Sequence, residues 1–199
     1  HKDMEGNFLK HSNEFSELCF TCHDKDYWGN SSHNIATNTW NGTSPNPWAH
    51  MDSPYTTVSQ NGCSNCHDTH NASGKERLLK REAEEDNCLD CHNGNVANTN
   101  IQSELSKPYR HDVFGYTGIH DPVESDINKT KHIECADCHN AHASNDSDAE
   151  APFVKGANLN VRGMDKNGIA VSSSLNEYEI CFRCHADNAM VQEKTTRYL

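Results

Sequence analysis

The sequence predicts a chain of mostly irregular coil with short helices and one small hairpin, built around something other than aliphatic side chains. Three observations predict it. Only 34% of the 199 residues is hydrophobic, and mean hydropathy is −0.90. Ten cysteines and fourteen histidines stand in a chain whose polarity alone would class it as disordered. All ten cysteines fall into five identical C-x-x-C-H frames, with none left over.

The frames are CFTCH (19–23), CSNCH (63–67), CLDCH (88–92), CADCH (135–139) and CFRCH (181–185); they are numbered one to five below. This spacing is the attachment signature of c-type haem. Two thiols add across the two vinyl groups of one porphyrin, and the adjacent histidine reaches the iron from the same side. The anchors are therefore Cys19 and Cys22, Cys63 and Cys66, Cys88 and Cys91, Cys135 and Cys138, and Cys181 and Cys184. The proximal iron ligands are His23, His67, His92, His139 and His185. Disulfides do not require a histidine after every second cysteine. Zinc sites pair C-x-x-C units or add ligands at finger or ribbon spacing, and a thioredoxin-like site occurs once per domain. Five haem c groups in one chain leave about 40 residues for each, which accounts for the sparse apolar side chains. Folding is then coupled to cofactor attachment.

Short helices are expected to feed the frames, at 14–23, 78–92 and 174–185, with Ser174 or Asn176 capping the last. The D-x-N-G turn within 161–172 predicts the hairpin. TSPNPW and the Asn-rich stretches read as loops. Frames two and three (63–92) and frames four and five (135–185) both open on C-x-x-C-H-x-x-H and close on a plain frame. This is an internal repeat within a single domain, 1–199.

Five irons need at most five further ligands, and nine histidines lie outside the frames. Bis-histidine coordination throughout is thus possible. His70 and His142 each follow a proximal histidine by three residues; on a helical turn such positions share a face. Each proximal histidine is pinned to its own iron, so His70 and His142 would serve a neighbouring haem. His11, His33, His50, His111 and His132 complete the distal candidates, and the aromatics before His50 and His111 are placed to stack on porphyrin edges.

The net charge of −12 disfavours a nucleic-acid partner. No apolar run reaches the length of a membrane span. The chain opens on His1 without Met, as expected of a processed mature form.

With these motifs the chain resembles the secreted multihaem c-type cytochromes of metal-reducing bacteria and related archaea. More narrowly, CSNCHDTH, CADCHNAH and ERLLKREAEEDNCLDCHNG are similar to members that polymerise into extracellular cytochrome filaments, or nanowires. The resemblance spans Cys19 to Cys184. It implies a continuous row of stacked haems with bis-histidine ligation and electron transfer along the row. It also implies a homopolymer in which one subunit donates a histidine to the next, with His11, His33 or His50 as donors. Other redox proteins or extracellular acceptors are the expected partners, and the location is extracellular or at the cell surface. A soluble shuttle, periplasmic or extracellular, is the alternative. A multihaem reductase is the third reading; it needs an open iron, and no frame carries lysine in place of histidine. The expectation is an electron-transfer protein rather than an enzyme.

Overall fold

The computed structural model describes residues 11–48, 55–73, 75–114 and 133–185. His50 and His132 lie outside the described residues. Within them, irregular chain links short helices and one two-stranded sheet, as the composition predicts. The helices are α1 (Glu17–Phe20), α2 (Ser32–Ile35), α3 (Val58–Asn61), α4 (Glu84–His92), α5 (Ile101–Glu104), α6 (Cys135–Cys138) and α7 (Glu177–His185), with single 3-10 turns between some of them.

The two longest described helices end on the histidine of a frame. Both place acid first and base last: α4 opens with Glu84, Glu85 and Asp86 and closes with His92, and α7 opens with Glu177 and Glu179 and closes with Arg183 and His185. That order suits the helix dipole. At the start of α4 the Asn87 amide donates to the Arg81 and Ala83 carbonyls, at 3.2 and 2.9 Å. The start of α7 departs from expectation. Neither Ser174 nor Asn176 caps it; the Glu179 carboxylate reaches back and accepts the N–H groups of Leu175 (2.7 Å) and Asn176 (3.2 Å). A carboxylate offers two strong acceptors where Ser174 offers one hydroxyl, and it also complements the dipole. The buried Ser174 Oγ is left without a partner.

The hairpin forms where the turn predicts it. Strands β1 (Gly163–Met164) and β2 (Ala170–Val171) pair antiparallel, with Gly163 opposite Val171 and Met164 opposite Ala170. The Asp165 carboxylate closes the turn by accepting the N–H groups of Asn167 and Ile169, both at 2.8 Å.

Aliphatic core is scarce. Trp48, Val58 and Val96 form one cluster with Ala36 and Cys91 packed against it. Val154, Val161 and Ile180 form a second, with Cys138 against it. Each cluster therefore backs an attachment cysteine. The largest fully buried side chains are polar: Glu134, Asn61, Asn95, Ser16 and Ser31.

Candidate haem-binding site

All ten cysteines are free thiols, so the disulfide reading has no support in the geometry. Polar joints link each frame to the next. The Cys63 N–H donates to the buried Ser16 Oγ at 2.7 Å, tying frame two to the segment that precedes frame one. The Lys80 N–H donates to the Cys66 carbonyl at 3.0 Å, and Arg81 pairs with Asp90 inside frame three at 3.0 Å. The Ala136 N–H in frame four donates to Glu84 Oε1 of α4 at 2.7 Å. Arg183 in frame five pairs with the Asp137 carboxylate in frame four at 3.2 Å and donates to its carbonyl at 3.1 Å. Consecutive frames are thus neighbours in space. The thiols follow suit: the neighbouring Cys19 thiol holds that of Cys63 down at about 6, and the neighbouring Cys135 thiol pushes Cys88 up.

The proximal histidines of frames two and four are held alike. His67 Nδ1 donates to the Arg77 carbonyl at 2.8 Å, and His139 Nδ1 donates to the Ala157 carbonyl at 3.0 Å. A carbonyl only accepts, so it fixes the tautomer and leaves Nε2 with a lone pair able to bind a metal. His33 has the same arrangement toward the Ala141 carbonyl at 2.9 Å.

Three histidine ring pairs stand a similar distance apart. His67 faces His142 at 6.3 Å between centroids with planes 5° apart. His33 faces His92 at 6.1 Å and 70°. His111 faces His185 at 6.1 Å and 41°. A metal–imidazole bond of about 2.0 Å on each side of one iron puts two ring centroids about 6.2 Å apart. The centroid spacing is compatible with one metal between each pair, and it also lies within the range of direct ring contact. Burial holds His142 down at about 4 and also lowers His92, so both are neutral imidazoles at pH 7. Among the described residues, no three His, Cys, Asp or Glu side chains converge to hold a bare metal ion. A porphyrin supplies the equatorial donors that two histidines lack, so the residues present fit haem.

Residues 56–97 match the family called Doubled CXXCH motif. The match covers frames two and three. This stretch is therefore a haem c binding unit of the c-type cytochrome kind, and the motif is characteristic of electron-transfer domains rather than of catalytic enzymes. No curated protein and no solved structure matches the chain. No helix among the described residues is long and apolar enough to cross a membrane.

The remaining candidates divide. The His142 ring lies beside that of His67, and the segment after His139 is a turn and not a helix. The Asn140 Oδ1 accepts the His142 N–H at 3.0 Å, and in the equivalent turn Asp68 Oδ1 accepts the His70 N–H at 3.0 Å. An Asx turn presents both side chains. His70, His11, His23 and His139 are exposed. Five supporting residues could not be picked out from the sequence. Ser16 and Arg183 make the joints above. Trp48 Nε1 donates to Asn65 inside frame two at 2.9 Å. Trp28 is buried 6.1 Å from the His142 ring and 6.5 Å from that of Phe20. Of these, only Asn65 and Arg183 carried a signal, since both lie inside a frame.

Proposed function

We propose that the chain is an electron conduit carrying five covalently bound haem c groups, each with two histidine ligands. The observation that carries this is the set of ring pairs: in each, a frame histidine faces a histidine from outside the frames across 6.1–6.3 Å. When bound, haem c supplies a one-electron ferric/ferrous couple. The chain does the rest. Paired thiols anchor each group, backbone carbonyls orient the imidazoles, and a histidine on either face leaves no coordination position open to a substrate. Joints between consecutive frames keep neighbouring sites close, as transfer along a row requires.

The chain acts as one domain, 1–199, in which 63–92 and 135–185 repeat the same plan. Haem attachment to C-x-x-C-H takes place outside the cytoplasm, so the location is extracellular or at the cell surface. We favour a homopolymeric filament, with other redox proteins or extracellular acceptors at its ends and histidine donation between copies. A soluble shuttle, periplasmic or extracellular, is the alternative. The acidic charge of −12 selects basic docking faces.

Intact-protein mass is the first test. Five haems add roughly 3.1 kDa of covalent mass; a smaller multiple refutes the count. A low-spin spectrum with no carbon monoxide binding supports two ligands on every iron, and any five-coordinate iron contradicts it. Electron microscopy of purified protein separates filament from shuttle.

A further inference from the structure

We propose that the distal ligands lace the chain between frames two apart, and that one strap, residues 141–144, locks the second and third iron sites together. The proposal rests on the haem reading above and deepens it. His142 lies three residues past frame four and faces His67 of frame two. His33 lies ten residues past frame one and faces His92 of frame three. His111 lies nineteen residues past frame three and faces His185 of frame five. In all three cases the donor segment follows a frame two away from the one it serves.

The strap is visible in the hydrogen bonds. Helix α2, which carries His33, docks on the loop that carries His142. The Ser32 N–H donates to the Ser144 carbonyl at 2.9 Å. The Ala141 carbonyl accepts from both Ser31 Oγ (3.3 Å) and His33 Nδ1 (2.9 Å). Ser31 Oγ also accepts the His33 N–H at 3.2 Å, capping α2. The loop that offers His142 to frame two therefore aims His33 at frame three. A local motif would place each distal ligand beside its own frame; this arrangement instead makes each of these iron sites depend on segments 59 to 75 residues apart.

Ring planes make the pairs distinguishable. Near-parallel imidazoles on ferric haem give an ordinary rhombic low-spin resonance, and steeply tilted ones give a strongly anisotropic resonance. The experiment is electron paramagnetic resonance of the oxidised, haem-loaded protein. His142→Ala is expected to remove a rhombic component and turn one iron in five high-spin. In a Cys63→Ser/Cys66→Ser background, which lacks the frame-two haem, the same substitution leaves the spin states unchanged. High-spin iron appearing in that background would assign His142 elsewhere and overturn the proposal. His33→Ala should instead remove an anisotropic component, and loss of a rhombic one contradicts the pairing. If His142→Ala does not accumulate, His142→Met keeps six ligands and should show one thioether-to-iron charge-transfer band that vanishes in the Cys63→Ser/Cys66→Ser background; its persistence there also overturns the assignment. The haem count is read separately from intact mass, so its failure is distinct from failure of the lacing.

Discussion

Gly62 shows how closely single residues set the spacing of frames. It stands at φ +50°, and a Cβ there would lie 2.1 Å from Ser16 Oγ. That hydroxyl is the acceptor for the Cys63 N–H. Gly62→Ala is expected to displace Ser16 and strain the backbone, destabilising the haem-loaded protein by about 2 kcal/mol. A thermal midpoint equal to wild type would contradict this. Nothing in the sequence marks Gly62, because the clash is with a residue 46 positions away. The attachment residues are the opposite case. Their chemistry needs only a fixed spacing within five positions, so frame and proximal ligand are legible directly.

The joint between α6 and α7 is the most enclosed ion pair of the four frame contacts. Arg183 and Asp137 are 16% and 8% exposed at the side chain. Removing the guanidinium takes away the Arg183 contacts to the Asp137 carboxylate and carbonyl, so Arg183→Met should cost about 2 kcal/mol. Asp137→Asn, which keeps the shape, should cost less; equal losses would argue that packing, and not charge, makes the joint. The approach of α4 to α6 carries a pH dependence. Glu134 is 1% exposed, and burial beside Glu84 and Glu85 raises its carboxyl to about 8. The folded protein then holds a proton that the unfolded chain releases above the ordinary glutamate value of about 4.3. Stability is therefore lost as pH rises from that value through about 8. Melts of haem-loaded protein between pH 5 and 9 should show a falling midpoint that Glu134→Gln flattens. A wild-type midpoint that rises across that range would refute the assignment. Helix positions were readable from the sequence because α4 and α7 end on frames. Their starts were less so: Glu179 took the capping role assigned to Ser174 or Asn176, a choice made by where the side chain could reach.

For the whole molecule, the scarcity of apolar interior decides stability. Among the described residues, twelve hydrophobic side chains are buried, six of them in the two clusters, and the largest fully buried side chains are polar. The cofactors are therefore expected to supply apolar contacts that help offset chain entropy. Chain with all ten cysteines replaced by serine is expected to give a coil-like far-ultraviolet circular dichroism spectrum and no cooperative melt. A native-like spectrum would show that the polypeptide folds without its cofactor.

The coil-rich architecture, the five C-x-x-C-H frames and the hairpin could all be read from the residues, since each depends on chemistry within a few neighbouring positions. Which outside histidine lies beside a frame histidine could not. Nine histidines lie outside the frames, and spacing singles out only His70 and His142. The fold sets His142 beside His67, His33 beside His92 and His111 beside His185. Those contacts are set by the path of the backbone over dozens of residues, which local sequence does not encode.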